Sequence, residues 1–300
     1  MRGVADVDVD GHRLRLTNLD KELYRGFTKG RVIDYYARIA PVLLPHLEAR
    51  PLTLRRFPDG IDADGFFEKE SPRHRPDWVH TFAVPSGRRG IVNYTVADSQ
   101  AVIVWLANLA ALELHPLLAR VPDIETPTTV VFDLDPGAPA DAVDAAEVAL
   151  RVRERLAGIG LNSFAKTSGG KGMHVYVPVN TPIDYDTTKA FAHTVARVLE
   201  QDDPQRITST MAKAERRGKV FIDWSQNDDS KTTVAAYSLR AGPEPRVSTP
   251  MAWDELETAV DNSDAGALRF APDDVLARIE RDGDVFAPVL EMRQEMPGAD

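Results

Sequence analysis

Residues 130–137, which read Val-Val-Phe-Asp-Leu-Asp-Pro-Gly, constrain the fold of this chain more than any other stretch. A short apolar run with β-branched residues that ends at Pro-Gly indicates a buried strand. Side chains alternate along a strand, so Asp133 and Asp135 point the same way, about 7 Å apart. Their mutual repulsion favours a hard divalent cation with oxygen ligands between them. The alternative at this point is an acidic strand end whose two carboxylates are simply solvated.

A third acid, Asp223, ends another apolar run at residues 220–224. Three carboxylates that converge from strand ends could hold two Mg²⁺ or Mn²⁺ ions. Such a pair of ions stabilises the attacking and leaving oxygens of an in-line phosphoryl displacement. Taken alone, Asp223 is also compatible with a strand-end acid that accepts a bond from a neighbouring backbone N–H.

The segment 168–174 reads Ser-Gly-Gly-Lys-Gly-Met-His and connects two predicted strands, 164–168 and 173–178. Glycines let backbone N–H groups approach an anion closely, and Ser168, Lys171 and His174 add a hydroxyl, a charge and an imidazole. A Walker A loop is excluded because a strand, not a helix, follows the lysine. The segment therefore predicts a phosphate-binding turn, with a plain glycine-rich hairpin as the alternative.

Composition limits the classes of protein that remain. The 300 residues include no cysteine, which excludes disulfides and thiolate zinc sites and is typical of a reducing cytosol. No apolar run reaches the roughly 20 residues of a membrane span, so we expect a cytoplasmic protein. The net charge is -10, but residues 254–300 alone hold thirteen acidic and four basic groups. The rest of the chain is nearly neutral, which leaves room for a phosphate-binding face.

The first half predicts a smaller α/β part. Strands or hairpins are expected at 7–17, 52–57 and 66–69, and a hairpin with a basic tip at 85–90. Helices are expected at 31–47 and, as the most apolar helix, at 99–114, with His115 closing the latter as a capping or core histidine. On the strand at 66–69, one phenylalanine could be buried and the other exposed to stack on a base, or both could be buried. Later in the chain, helices are expected at 139–158, 187–201, 253–260 and 272–281. A cluster of basic and amide side chains around Asp223 is either a solvated face or a phosphate contact. It comprises Arg216, Arg217, Lys219, Gln226 and Arg240.

These segments form a specific ordered set. The set resembles the polymerase domain of bacterial DNA ligase D, in the archaeo-eukaryotic primase superfamily, or a stand-alone primase-polymerase relative. The resemblance runs over about residues 12–285 and is carried by residues 132–137, 167–174 and 220–227, with further matches at 18–21, 66–69, 110–115, 231–233 and 237–240. It implies an α+β fold in which a primase-like catalytic β-sheet is flanked by helices. One primase-polymerase domain is expected over residues 1–300, with an N-terminal part at about 1–126 and a catalytic part at about 127–300.

The resemblance also assigns roles to individual residues. Asp133, Asp135 and Asp223 match the family's catalytic metal ligands. The residues that would contact the incoming nucleotide are Ser168, Lys171, His174, His115, Gln226 and Arg240. Lys21 and Lys29 match a pocket for the DNA 5′-phosphate, and Phe66 and Phe67 match a pair that stacks on template bases, with Arg55 and Arg56 beside them.

The activity implied is template-directed nucleotidyl transfer with two Mn²⁺ or Mg²⁺ ions, filling short gaps or extending ends at DNA breaks. The resemblance implies that the substrates are a gapped or broken DNA with a 5′-phosphate and an NTP or dNTP, with ribonucleotides preferred. It also implies a DNA ligase and Ku as partners and a location in the bacterial cytoplasm, associated with the nucleoid. The segment at 24–28 and the hairpin tip depart from the family pattern, so gap filling is better supported than end bridging. Two alternatives remain open: a non-catalytic DNA-end binding module that recruits a ligase, and an aspartyl phosphatase-like phosphotransferase. An aspartyl phosphatase commonly has Thr or Val one or two residues after the second acid, whereas Pro136-Gly137 follows Asp135 here.

Overall fold

The structure, a computed structural model, describes residues 3–86 and 90–297. The elements of the first part follow in chain order: β1 (Ala5–Val9), β2 (His12–Leu16), β3 (Glu22–Tyr24), β4 (Phe27–Thr28), α1 (Lys29–Leu47), β5 (Pro51–Arg56), β6 (Phe66–Glu68), β7 (Thr81–Ser86), β8 (Gly90–Val96), α2 (Gln100–Asn108) and β9 (Ala111–Pro116).

The second part contains the longer sheet and most of the helices. Its elements are β10 (Thr129–Pro136), α3 (Ala142–Ala157), β11 (Phe164–Thr167), β12 (Met173–Pro178), α4 (Tyr185–Asp202), β13 (Ile207–Thr208), β14 (Val220–Asp223), β15 (Leu239–Arg240), β16 (Arg246–Val247), β17 (Pro250–Met251), α5 (Trp253–Asp261), α6 (Pro272–Asp282) and α7 (Pro288–Glu291). The predicted α+β class is confirmed. None of the helices within residues 3–86 and 90–297 is long and apolar enough to cross a bilayer.

The larger sheet has six strands in the order β13-β14-β10-β12-β11-β17. Only the short β13–β14 pair is parallel, and the other neighbours are antiparallel. Along β10, Val130, Phe132 and Leu134 are fully buried in a core with α3 and α4. Because side chains alternate, Asp133 and Asp135 lie on the opposite face. The predicted strand and its two-faced pattern are thus confirmed.

Helix α3 shows why the sequence covers the sheet as it does. Asp141 caps its N-terminus by accepting bonds from the backbone N–H groups of Val143 and Asp144, and the Asp144 carboxylate accepts from the Asp141 backbone N–H. A buried stripe at helical spacing then faces the sheet, and it includes Ala145, Ala149, Val152 and Leu156. Each large aliphatic side chain in such a stripe contributes about 1.5–3 kcal/mol by leaving water.

The smaller sheet is built around β5. Strand β9 pairs with one edge of β5, while β8 and β6 pair with the other. Strands β7 and β8 form the predicted hairpin. The tip of that hairpin, residues 87–89, lies outside the described residues. One of the two large cores takes residues from both sides of residue 126, and the predicted division there stays a prediction.

The prediction of one helix over residues 99–114 is wrong. Helix α2 ends at Asn108, Ala110 adopts a φ of 57°, and β9 follows. All of β9 is buried, so its apolar run has the same appearance as a buried helix. Hydrogen bonding to β5 decides between the two. His115 accordingly lies on a strand and does not close a helix.

Candidate active site

Four ionisable side chains form one row across the large sheet. Asp133 is paired directly with Asp223 on β14 and with His174 on β12, and His174 is paired with Lys166 on β11. Residues directly opposite in antiparallel strands place their side chains on the same face, about 5 Å apart. The sheet therefore brings together three of the predicted residues and adds Lys166, which the sequence analysis missed.

Asp135 lies on the same face, two residues further along β10 and opposite Phe221. The residue lies at the rim of the site, where part of its surface is exposed. Burial, together with the charges of Asp133 and Asp223, raises the pKa of Asp135 to about 6. Asp133 and Asp223 thus repel the Asp135 carboxylate, as expected where several carboxylates are brought together.

The Gln226 side chain lies where two of these carboxylates converge. Its Nε2 donates to Asp133 Oδ2 at 3.3 Å and to Asp223 Oδ2 at 3.4 Å. Asp223 Oδ1 accepts from the backbone N–H and hydroxyl of Ser225, at 3.0 and 2.6 Å. The Gln226 Oε1 atom is buried and has no hydrogen-bond partner among residues 3–86 and 90–297. The Gln226 amide therefore donates to both Asp133 and Asp223 where their carboxylates approach each other.

This donor set fits a hard divalent cation. The available ligands are carboxylate oxygens, which suit Mg²⁺ and Mn²⁺, and burial together with their repulsion raises the pKa of Asp135. Across the part of the chain that the structure describes, no three His, Cys, Asp or Glu side chains converge tightly enough to form a ready-made metal cage. The sheet thus places these carboxylates on one face of the site.

A hydrogen-bonded chain runs from Lys166 to Asp133. His174 Nε2 donates to Asp133 Oδ1 at 3.3 Å, and Lys166 Nζ lies 2.9 Å from His174 Nδ1. Lys166 is fully buried and also donates to Val234 O and Ser248 Oγ. Burial and the Lys166 charge lower the pKa of His174 to about 4.

The same chain keeps Asp133 ionised. Burial alone would raise the pKa of Asp133, but His174, Arg240 and Lys166 outweigh it and hold the pKa below its usual value. Burial likewise depresses the pKa of Lys166. A lysine in the middle of a strand, two residues before Ser168 and on the same face, was the available sequence signal for this contact.

The glycine-rich turn lies between Arg240 and the end of β10. Gly169 has a φ of +74°, and a Cβ there would be 2.8 Å from the Cβ of Arg240. A Cβ on Gly172 would be 2.5 Å from Leu134 O. Both glycines are needed for these close approaches. The turn therefore lies close to Asp135, since a Cβ on Gly172 would be 3.4 Å from Asp135 Oδ1. Phosphate binding by Ser168 and Lys171 stays a prediction.

Ser168 organises the turn from inside. Its buried Oγ accepts from the backbone N–H groups of Gly170 and Gly172, both at 3.2 Å. Those two N–H groups are therefore already engaged, while the Lys171 side chain extends to the exposed surface. The anion-binding groups that the turn offers include the Ser168 hydroxyl proton and the Lys171 ammonium.

A buried glutamate, Glu113, links His115 and Arg240. Its carboxylate accepts from His115 Nε2 at 2.7 Å and from Arg240 Nη1 at 3.1 Å. Burial would raise the pKa of Glu113, but the His115 hydrogen bond and the Arg240 charge lower it to about 2. Burial also lowers the pKa of His115. Glu113 was not among the predicted site residues, because residues 99–114 were expected to form a helix, whereas Glu113 lies on β9.

Phe66 and Phe67 are both exposed, with 44% and 62% of their surfaces accessible. The expectation that at least one of them is buried is wrong, because β6 is a three-residue edge strand that pairs only with β5. The Arg56 guanidinium lies 5.3 Å from the Phe66 ring centre, and that of Arg55 lies 5.4 Å from the Phe67 ring centre. The four residues predicted to contact template form one aromatic and basic edge.

Lys21 and Lys29 lie together where α1 begins. The Lys29 backbone N–H donates to Lys21 O at 2.7 Å, and Lys29 Nζ donates to Thr17 O at 2.7 Å. Burial, Lys21 and Arg56 lower the pKa of Lys29 to about 8. Lys21 forms an exposed ion pair with Asp59. A buried ammonium among positive neighbours is suited to an anion.

Comparison with known proteins places this geometry in a family. A family model described as the LigD primase-polymerase domain matches residues 28–286. The chain belongs to this family. The LigD relatives include a multifunctional non-homologous end joining protein of Mycobacterium bovis, 44% identical over 286 residues, and a bifunctional one of Bacillus subtilis, 29% identical over 288 residues.

These LigD relatives are longer than the chain. The matched regions cover 91% and 95% of this chain but only 36% of the mycobacterial and 45% of the Bacillus protein. A solved structure, the polymerase domain of Mycobacterium tuberculosis Ligase D in complex with DNA, superposes with a TM-score of 0.86 at 43% identity. It covers 93% of this chain and 98% of its own. The primase-like fold inferred from the motifs is thereby confirmed.

Proposed function

We propose that this protein is a template-directed nucleotidyltransferase that fills gaps or extends ends at DNA breaks in non-homologous end joining. The observation that carries the proposal is the paired Asp133 and Asp223, with Asp135 beside them, next to the glycine-rich turn. A relative of the same fold has been solved with DNA. Family membership favours this function over an aspartyl phosphatase.

Asp133, Asp135 and Asp223 would hold the divalent cations, Mn²⁺ or Mg²⁺. When bound, these ions would activate the primer 3′-OH and stabilise charge on the departing pyrophosphate. The low pKa of Asp133 supports its part, since a ligand must be ionised to bind a cation. Ligation would also lower the pKa of Asp135.

The side chains around the turn would bind the triphosphate. Arg240 presents a planar fork suited to phosphate oxygens, and Lys171 adds a mobile point charge. The Ser168 hydroxyl would donate its proton to an oxygen of the same tail. His174, neutral and donating to Asp133, would orient that carboxylate. His115 and Gln226 would contact the nucleotide from the two sides of the site.

The DNA would lie across both sheets. Lys21 and Lys29 would hold the 5′-phosphate at the downstream side of a gap, and the lowered pKa of Lys29 supports an anion there. Phe66 and Phe67 would stack on template bases, with Arg55 and Arg56 beside them. We further propose that ribonucleotides are preferred, and that Ku and a DNA ligase act with this protein in the bacterial cytoplasm.

One assay tests the function. A gapped duplex with a 5′-phosphate is incubated with Mn²⁺ or Mg²⁺ and with NTPs or dNTPs in parallel, and primer extension is followed on a gel. Extension templated by the gap base supports the proposal. Asp133→Asn should reduce it by at least about a thousandfold, since the ligand set loses a charge. Asp186→Asn, in the first turn of α4, is the matched control and should extend normally.

The outcomes separate the alternatives. Binding that depends on the 5′-phosphate without any extension would replace the polymerase by a DNA-end binding module that recruits a ligase. Extension that is equal for Asp133→Asn and the unaltered protein would refute the carboxylate site. Faster incorporation of dNTPs than of NTPs would refute the proposed sugar preference alone.

A further inference from the structure

The carboxylate of Glu113 is the centre of a charged cluster that spans both halves of the candidate site. The side chain is fully buried on β9. Its Oε1 accepts from Arg55 Nη1 at 3.0 Å and from the Ala241 backbone N–H at 2.9 Å. Its Oε2 accepts from His115 Nε2 and Arg240 Nη1. All four acceptor positions of the carboxylate are therefore used.

On the template side, two of these partners lie beneath Phe67. Arg55 is directly opposite Glu113 in the β5–β9 register, and its guanidinium is 5.4 Å from the Phe67 ring centre. The His115 ring meets the Phe67 ring edge-on, with centroids 5.8 Å apart. Movement of Phe67, the more exposed of the two phenylalanines, would therefore change its contacts with Arg55 and His115, which both donate to Glu113.

On the nucleotide side, Glu113 fixes both the fork and the backbone of the strand that carries Arg240. The fork is held by Oε2, and the neighbouring residue Ala241 donates its backbone N–H to Oε1. Arg240 in turn packs against Gly169 of the glycine-rich turn. The direction of the Arg240 fork therefore depends on where the Glu113 carboxylate lies.

We infer that Glu113 is a positioning residue that couples template stacking at Phe67 to triphosphate binding at Arg240. A base stacked on Phe67 would set Arg55 and His115, and through Glu113 would set the Arg240 fork. The inference rests on the proposed function. It adds a reason for template dependence, because stacking of a template base would strengthen the nucleotide contact.

Glu113→Gln breaks the cluster with almost no change in volume. The amide keeps one acceptor oxygen and places an NH₂ donor among groups that are themselves donors. The variant should raise the nucleotide concentration needed for half-maximal incorporation by about tenfold or more, with a smaller change in the maximal rate. A merely structural role would lower the amount of active protein and leave that concentration unchanged.

A double-mutant cycle measures the coupling itself. Phe67→Ala and Arg240→Gln are made singly and together, and single-turnover incorporation is measured in a templated gap. In the unaltered background, the double variant should lose about fivefold less than the product of the two single losses, as expected within one network. In the Glu113→Gln background, the two effects should multiply.

Glu68→Gln is the matched control. Glu68 accepts two bonds from Arg56, which lies over Phe66, so it is the corresponding carboxylate of the neighbouring pair. The cycle between Phe67 and Arg240 should keep its coupling in that background. Should Glu113→Gln fail to fold, Arg55→Lys takes its place, because it removes the fork that joins Glu113 to Phe67 and keeps the charge. Its cycle should be additive or nearly so.

The outcomes distinguish this inference from the function on which it rests. No incorporation by the unaltered protein overturns both. Incorporation with additive effects of Phe67→Ala and Arg240→Gln overturns the coupling alone. The coupling is also overturned if it persists undiminished in Glu113→Gln and in Arg55→Lys.

Discussion

The depressed pKa of Lys29 predicts that recognition of a 5′-phosphate depends on pH. Lys29 is 5% exposed, and burial with the charges of Lys21 and Arg56 lowers its pKa from 10.5 to about 8. A shift of this size corresponds to about 3 kcal/mol of unfavourable interaction with the ammonium form. A phosphate bound between the two lysines would return part of that free energy and raise the pKa again.

The sign of the effect follows from proton linkage. Below about pH 8, Lys29 is already protonated in the free protein, so the preference for a 5′-phosphorylated gap over a 5′-hydroxyl gap should be constant. Above that pH, binding must take up a proton, and the preference should fall by up to about tenfold per pH unit. Fluorescence anisotropy with the two gapped duplexes, at constant ionic strength between about pH 7 and pH 9.5, measures the ratio of affinities.

Two variants control this experiment. Lys29→Arg keeps its charge over the whole range, so any preference that it retains should not change with pH. Lys29→Met should show a small preference at every pH. A ratio that stays flat in the unaltered protein up to about pH 9.5, or that falls equally in Lys29→Arg, would refute the reasoning.

The same pKa has a consequence for folding. Because the folded pKa of about 8 lies below the unfolded value near 10.5, the unfolded chain binds more protons between them. The free energy of unfolding, relative to Lys29→Met, should therefore rise with pH across that window, by at most about 3 kcal/mol. Urea denaturation at several pH values measures it, and a difference that decreases over the window would contradict the assignment.

Three further changes test other parts of the structure. Lys166→Met removes the donor to Val234 O, Ser248 Oγ and His174 Nδ1. The free energy of unfolding, measured by urea denaturation, should fall by about 2–5 kcal/mol. A fall of less than about 1 kcal/mol would contradict these buried contacts. Gly169 has a φ of +74° and lies against Arg240, so Gly169→Ala should lower the free energy of unfolding by about 1–2 kcal/mol, measured by thermal melting. The same change should weaken nucleotide binding, measured by titration. Normal nucleotide affinity would contradict the packing of the turn. Asp141→Ala removes the α3 cap and should lower stability by about 1 kcal/mol with normal extension, and a loss of extension in a folded variant would show that the cap acts on the site.

Several features of the fold were predictable because they depend on local periodicity. The β10 strand, the hairpin of β1 and β2, and helices α1, α3 and α4 follow from alternation, caps and helical spacing. Residues 99–114 were not predictable in the same way. An apolar run buried on all sides has no periodicity, and only pairing with β5 shows that its second half is a strand.

Some features of the candidate site were likewise predictable from the local sequence, and others were not. The spacing of Asp133 and Asp135, the glycines of the turn and the third acid are visible in the chain, and they are sufficient to predict a carboxylate site near a phosphate-binding turn. The exposure of both Phe66 and Phe67 was not visible, because it depends on β6 being an edge strand.

The sequence by itself therefore determined which residue types lie at strand ends and turns, and with them the family and the placement of Asp133 and Asp135 on one face of a strand. Only the tertiary structure decided that Lys166 supports His174 from the next strand and that Glu113 joins Arg55 to Arg240. The physical reason is that side-chain direction along one strand is a local property. Which residue faces which across a sheet depends on register, and register is set by contacts between segments far apart in the chain.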